Sequence, residues 1–407
     1  MKKKILFTSF TGFSNPSIGG PTRIIYDLLK NLDYTKYEPY FLSYDMFKKY
    51  SSGEELDLNQ DKNIYAKRNL GYKLYDKINL YRDIVTSDFY LKYHYHKKDK
   101  YFYNFTDNFR DFEIIHSHDS LSAYYFLNLK KPKKILTIHS KGTQVSEMKE
   151  SNLKSNYFKD FMLELSQREM DAFFNFDLIT FPSNAAKEIF LQDINFKDTQ
   201  SERIKIIYNG IDLDKIRNIN VNNVLNKYNI QKNKFDITLL NVAQHVKPKN
   251  IDLIIRSIKT LRDEFNIRAL LVNIGEGYLT EDYKSLIEAN LLSEQVKFLG
   301  MISNDDVIRL MKSLDIFIQA SERVIFDLVV LEALASGIKV LVSNEGGNRE
   351  IIKDGVNGFL ISELSERSVA KDIAKYQTAI IVRTNSLDEK YSIASMTNNF
   401  EELFGQS

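Results

Sequence analysis

Residues 316–342 read IFIQASERVIFDLVVLEALASGIKVLV, and their order decides the fold. Ile316–Ile318 is a short apolar run. Ser321–Gly337 then joins a loop to an apolar helix, and Lys339–Val342 is a second apolar run. Strands that read as continuous apolar runs between helices predict a parallel sheet covered on both faces. The helix carries a single acid, Glu332. A carboxylate on an otherwise buried helix is costly without a partner, so a polar partner, read here as a ligand, is expected beside it.

The same alternation extends in both directions. Upstream in the second half, Ile237–Val242, Leu270–Ile274 and Val296–Leu299 each precede a helical segment. In the first half Ile5–Thr8, Pro39–Ser43, Ile114–His116, Ile135–Ile138, Leu178–Phe181 and Ile204–Ile207 read as strands, with a helix over Thr22–Leu32. At 407 residues the chain is too long for one ordinary core. The prediction is therefore α/β, with two Rossmann-like domains and an inter-domain cleft. Ligands in such sheets sit beyond the carboxyl ends of the strands. The turn-rich Asn209-Gly210-Ile211-Asp212 places the boundary, giving domains 1–212 and 213–387.

Composition narrows the function. A net charge of +2 gives no case for nucleic acid. The absence of cysteine excludes disulfides and thiolate metal sites, and points to a reducing, cytoplasmic compartment. MKKKILFTSF has a basic head, but its short apolar part is broken by Thr8 and Ser9, so a first strand is expected rather than a signal peptide. No apolar run approaches the roughly 20 residues of a membrane helix, which leaves peripheral membrane contact, at the inner face, as the expected kind. Enrichment in Lys, Asn, Ile and Tyr is what a low-GC bacterial genome gives. Lys48–Arg110 fits the alternation least well and reads either as a solvated helical face or as a surface touching an acceptor or partner.

Several residues stand where chemistry is expected. Gly19 and Gly20 precede a helix with Pro21 near its first turn, an arrangement that suits an anion at a helix N-terminus or, more simply, a tight loop. His116, His118 and His139 end predicted strands. For the i, i+2 pair a hydrogen-bonded structural role is preferred over a metal, because no third ligand lies nearby in sequence. In NVAQHVKPKNIDLII a strand leads through a polar loop, with Lys249, into a helix. Gly275 and Gly277 follow the strand Leu270–Ile274 and permit close backbone approach. Asp212-Leu213-Asp214 has the spacing of a metal-binding D-x-D but opens a helix at the junction, which makes a poor metal site.

Taken together these stretches resemble the GT-B glycosyltransferases of family 4, which are retaining enzymes, and the resemblance is collinear over most of the chain. In that family two glutamates eight positions apart flank a Phe-Gly-Leu-like segment before the helix. The second matches Glu332, the first falls on Val324 and the glycine falls on Asp327. By resemblance Glu332 would bind the ribose, with Phe326 and Leu328 at a helix end facing the diphosphate. Asp327 would either cap that helix or bind sugar hydroxyls, and Glu322 substitutes for the missing glutamate only if the loop bends differently. Lys249 matches the lysine that holds the diphosphate, whereas the family's arginine falls on Gln244 and its following glycine on Asn250. One positive charge is thereby lost; at ~4 Å and an effective dielectric of ~20 that is about 4 kcal/mol, unless His245 or Lys247 compensates. His139 matches a histidine that meets the transferred sugar. Gly19, Gly20, Gly275 and Gly277 match Gly-rich elements, Leu299 a strand end whose backbone reads the base, and Gly346, Gly347 and Glu350 a turn near the donor. The NGID at 209–212 matches the family's junction, and residues 388–407 would pack back on the first domain.

The implied activity is transfer of a sugar, with retention, from a nucleotide donor, expected to be a UDP-sugar. The acceptor would be a bacterial cell-surface glycan, glycolipid or glycoprotein, lipid-linked acceptors included. His139, Lys249 and Asp327 are the expected catalytic group, without a metal or other cofactor. The rival expectation is a non-catalytic GT-B subunit that binds an acceptor or a partner glycosyltransferase, because Val324, Gln244 and Asp327 depart from the pattern.

Overall fold

Two sheets, the first mainly and the second wholly parallel, are built from the apolar runs, one in each of two units. The computed structural model describes residues 2–10, 20–43, 46–51, 54–57, 98–150, 158–198, 201–378 and 387–406. One unit comprises Met1–Pro182, Ala186–Ile207 and Thr397–Ser407; the other comprises Ser183–Ala185 and Tyr208–Met396.

The sheet of the first unit contains β1 (Lys3–Ser9), β2 (Tyr37–Ser43), β3 (Met46–Ser51), β4 (Glu54–Asp57), β5 (Ile114–Ser117), β6 (Lys133–Thr137), β7 (Leu178–Phe181) and β8 (Ile204–Ile206). Their order is β4-β3-β2-β1-β5-β6-β7-β8. All pairings are parallel except β2 with β3 and β3 with β4, which are antiparallel. This corrects the expectation for Lys48–Arg110, which does not form a purely solvated helical face. Its first residues lengthen the sheet edge, and residues 98–109 carry Phe102 and Phe109 into the core beside Phe10, Tyr125 and Phe126. Aromatic burial decided the matter there, while the many lysines of that segment hid it in the sequence. Residues 58–97, with the first part of the basic stretch Lys92–Lys100, lie outside the described residues.

Residues 397–407 complete this unit. Lys3 Nζ and Lys133 Nζ donate to the carbonyls of Phe404 and Leu403 at 3.1 and 2.8 Å, so two lysines bind the orphan acceptors at the C-terminus of the last helix. The rings of Phe400 and Phe404 pack on His116 and Phe7.

The sheet of the second unit contains β9 (Ile237–Val242), β10 (Ala269–Ile274), β11 (Val296–Phe298), β12 (Ile316–Gln319), β13 (Lys339–Ser343) and β14 (Phe359–Ile361), in the order β11-β10-β9-β12-β13-β14. Every pairing is parallel. Alternate residues of one strand enter opposite cores: Leu270, Val272 and Ile274 one, Ala269 and Leu271 the other. Burial on both faces is why these strands read as nearly continuous apolar runs. Strand β14 went unanticipated because its three residues sit between turns. Chain order reverses between β9 and β12, so the loops that follow these two strands flank the switch point of the sheet. Near the junction Asp212 caps the helix Leu213–Asn218, accepting from Lys215 N at 2.9 Å, which accounts for the D-x-D spacing without a metal. Among the described residues no helix is long and apolar enough to cross a membrane.

Candidate active site

At the switch point of the second sheet the loops after β9 and β12 are tied together by three contacts. Glu322 N donates to Pro248 O at 2.9 Å and Asn250 Nδ2 donates to Ala320 O at 3.1 Å. Lys249 Nζ meets Asp327 Oδ2 at 3.4 Å, with 25% and 22% of the two side chains exposed. These loops bring together two of the residues singled out from the sequence, Lys249 and Asp327.

Asp327 occupies the N-cap position of the helix Leu328–Ser336, with φ −85° and ψ 108°. Its carboxylate makes no capping hydrogen bond, so the capping alternative is set aside: the pull of the Lys249 ammonium holds it elsewhere. The first N–H groups of the helix consequently receive no cap from Asp327, and the positive end of the helix dipole is left uncapped by it.

Glu332 lies on the same helix and is 3% exposed. Its Oε1 accepts from Asn304 Nδ2 at 3.1 Å. The polar partner demanded by burial is thus supplied at least in part by the protein, from the first residue of the helix Asn304–Ser313. Sequence reading missed Asn304, whose only signal was its place beside the N-cap Ser303.

Other assignments are redistributed. Val324 is 1% exposed, so the position of the missing glutamate faces the interior. Glu322 is exposed, and its carboxylate makes no hydrogen bond with the described residues. Phe326 was expected at the donor, but its ring is buried against Tyr208 and Tyr391, at centroid distances of 5.6 and 5.8 Å; apolar area drew it into the core. Leu328 and Leu299 are partly buried against the same core. Gln244 is exposed.

His245 does not replace the lost cation. It is fully buried, with Nε2 2.6 Å from Asn273 Oδ1 and Nδ1 2.8 Å from Thr280 Oγ1. Loss of solvation lowers its pKa, and it acts as a neutral strut. Asn273 Nδ2 in turn donates to Asn241 Oδ1, and Asn241 Nδ2 to Ile318 O, so a polar ladder crosses β10, β9 and β12. The asparagines interrupting the apolar runs of β9 and β10 were the available signal. Lys247 is exposed on the same loop.

The glycines after β10 have a packing explanation. A Cβ on Gly275, where φ is +132°, would stand 2.0 Å from Ala243 O, and one on Gly277 would stand 2.4 Å from His245 O. Two loop backbones cross there, joined by His245 N to Glu276 O at 3.0 Å. Glu350 likewise serves the fold: it accepts from Asn184 N, Ala185 N and the Tyr208 hydroxyl at 3.1, 2.8 and 3.2 Å.

The first unit holds His139 just beyond β6. Its Nε2 lies 3.0 Å from His118 Nδ1, and the two rings are nearly parallel, at 8°. His116 Nε2 lies 2.7 Å from Thr137 Oγ1, in keeping with the structural role expected of it. Burial depresses all three pKa values, His116 to about 3, His139 to about 4, and His118 well below the ordinary value, so all are neutral near pH 7. No group of three or more His, Cys, Asp or Glu able to hold a metal occurs among the described residues. Gly20 is exposed and begins the helix Gly20–Asn31, with nothing within 4 Å of a built Cβ; Gly19 lies outside the described residues.

Comparison with known proteins gives matches in both halves. The model for Glycosyltransferase Family 4 matches residues 18–215, and that for Glycosyl transferases group 1 matches residues 225–379. An uncharacterized glycosyltransferase of Methanocaldococcus jannaschii is 26% identical over 269 residues, 64% of this chain and 64% of that protein's own length, just under two thirds. The UDP-Gal:alpha-D-GlcNAc-diphosphoundecaprenol alpha-1,3-galactosyltransferase of Escherichia coli is 25% identical over 258 residues, 61% of this chain and 62% of the relative. Among solved structures, Anabaena HepE in complex with UDP and glucose superimposes with a TM-score of 0.68 at 16% identity, covering 99% of each chain. With two parallel α/β units of this topology and both family models matched in order, the chain belongs to the GT-B glycosyltransferases of family 4.

Proposed function

We propose that this protein transfers a glycosyl group, with retention of configuration, from a UDP-sugar to a glycan or lipid-linked acceptor. The observation that carries the reading is the convergence of three features on one helix: the Lys249 ammonium, an N-terminus left uncapped by Asp327, and the buried carboxylate of Glu332. A cation beside the N-terminus of a helix suits a diphosphate, whose charge rises as the glycosidic bond breaks. A buried carboxylate suits two adjacent ribose hydroxyls. The UDP held by Anabaena HepE and the diphospholipid-linked acceptor named for the Escherichia coli relative support the choice of donor and acceptor class.

Calorimetric titration with UDP tests the reading. Glu332→Gln keeps the bond to Asn304 available but removes the charge, and UDP binding should weaken at least about tenfold, since a hydrogen bond to a charged group contributes roughly 1.5–3 kcal/mol. Unchanged affinity in a folded variant would remove the assignment. Metal-free transfer is part of the same proposal, with Lys249 and the helix dipole neutralising the leaving group. Activity should persist in chelator, and its loss with recovery on adding Mn²⁺ or Mg²⁺ would contradict it. The non-catalytic alternative draws on the buried, uncharged Val324; failure to bind or hydrolyse any common nucleotide-sugar would favour it.

A further inference from the structure

The strongest juxtaposition outside the second unit is the histidine pair at the ends of β5 and β6. His118 N donates to Thr8 O at 2.9 Å, which fixes its backbone against β1. Its ring lies between His116, at a centroid distance of 4.2 Å, and His139, at 5.3 Å, with Phe7 at 6.1 Å. The imidazole is 3% exposed and its Nε2 has no hydrogen-bond partner among the described residues. His139 is half-buried, and the described residues supply no partner to its Nδ1.

Two ring nitrogens 3.0 Å apart share one proton. Burial keeps both rings neutral near pH 7, so each carries a single N–H. If His139 Nε2 donated, the proton of His118 would sit on Nε2, a buried N–H without an acceptor. If His118 Nδ1 donates, Nε2 of His118 is a bare lone pair, and a buried acceptor without a donor is tolerated more readily than an orphaned N–H. Burial thus selects the second arrangement, and it fixes the proton of His139 on Nδ1.

We propose that His118 is a positioning residue that donates Nδ1–H to His139 Nε2 and thereby holds His139 as a neutral Nδ1–H donor toward an oxygen of the transferred sugar. The role of His139 toward sugar rests on the transferase reading; the tautomer does not. A fixed donor selects an acceptor oxygen, hydroxyl or carbonyl, and discriminates against an ammonium at the same place. His116 does not compete, because its Nε2 is engaged by Thr137.

Long-range proton–nitrogen correlation spectra of the full chain labelled with ¹⁵N-histidine read the tautomer directly at pH 7.5, with His139→Gln assigning the resonances. The expected spectrum shows Nδ1 of His139 pyrrole-like and Nε2 pyridine-like. His118→Asn, whose amide N–H stands near the position of Nδ1–H, should preserve it; His118→Asp, which can only accept once ionised, should move the proton of His139 to Nε2. In a nucleotide-sugar transfer or hydrolysis assay, His118→Asp should lower kcat about tenfold or more while UDP affinity stays unchanged, and His118→Asn should restore most of the loss. A wild-type spectrum with the proton on Nε2 overturns the proposal whether or not any variant folds, and so does a folded His118→Asp that leaves the tautomer unchanged. The expected tautomer in a protein that turns over no nucleotide-sugar supports the role of His118 and counts against the transferase reading instead.

Discussion

Lys249 and Asp327 hold one another at the place where the proposed donor needs a free cation, and the pair sets the terms on which a diphosphate binds. Each side chain is about a quarter exposed, at 25% and 22%, so water screens the contact and its net strength falls within the roughly 0–1 kcal/mol of solvent-accessible pairs. A diphosphate offers Lys249 more charge than one carboxylate, and displacement is therefore affordable. Asp327→Asn should tighten UDP binding about threefold, read by calorimetry, because it frees the lysine and removes a repelling charge. Lys249→Ala should lower turnover about a hundredfold or more, as expected for lost stabilisation of charge developing in the transition state. An Asp327 variant that binds UDP more weakly would show that the carboxylate contacts the donor favourably.

At the scale of elements, the site depends on loops that cross backbone to backbone. The turn after β13 passes over the loop after β12: Gly347 N donates to Val324 O at 3.3 Å, and a Cβ on Gly346, where φ is +45°, would stand 1.7 Å from that same oxygen. Relief requires one loop to move, and the moving loop carries Asp327 and the helix start. Gly346→Ala should therefore destabilise the second unit by about 1–3 kcal/mol, the cost of an overpacked contact or of a non-glycine residue held at positive φ, seen as a lower thermal transition with a parallel loss of UDP affinity. Gly275 and Gly277 were legible as markers of close approach and Gly346 and Gly347 as a turn, but not the partner approached, since that partner is another loop of the same chain. Phe326 shows the same limit. Its place beside the helix was readable, whereas the side to which its ring turned was decided by the apolar surface of Tyr208 and Tyr391.

Across the whole molecule, buried titratable groups give stability a pH dependence, and the first unit carries two opposed parts of it. His116 and His139, near 3 and 4, and His118, lower than its ordinary value, bind protons more readily when unfolded; their stabilising neutrality is present above the unfolded value of about 6.5 and is lost as pH falls toward their folded values. Glu169 works the other way. Burial raises it to about 7, although Ser120 Oγ and Gln144 N donate to it, so the stability it contributes is full below the ordinary carboxyl range and is lost as pH rises through 7. Thermal melts should show the first unit weakening between pH 6 and 4. Glu169→Gln, which mimics the protonated carboxyl, removes the opposing part and should steepen the rise in stability between about pH 5 and 7; an unchanged slope would mean Glu169 titrates normally. What the sequence alone determined was the run of apolar strands between helices, because a strand buried on both faces must be apolar at most positions, and with it the two-sheet class and the family. It also marked Lys249, Asp327 and His139 beside strand and helix ends, and Glu332 as the single acid of an apolar helix. Only the tertiary structure decided that Asp327 pairs with Lys249 instead of capping, that Asn304 meets Glu332, that His245 is a buried strut, and that His118 faces His139. Each of these is a contact between segments far apart in the chain, and no local periodicity encodes which distant polar group will satisfy a buried one.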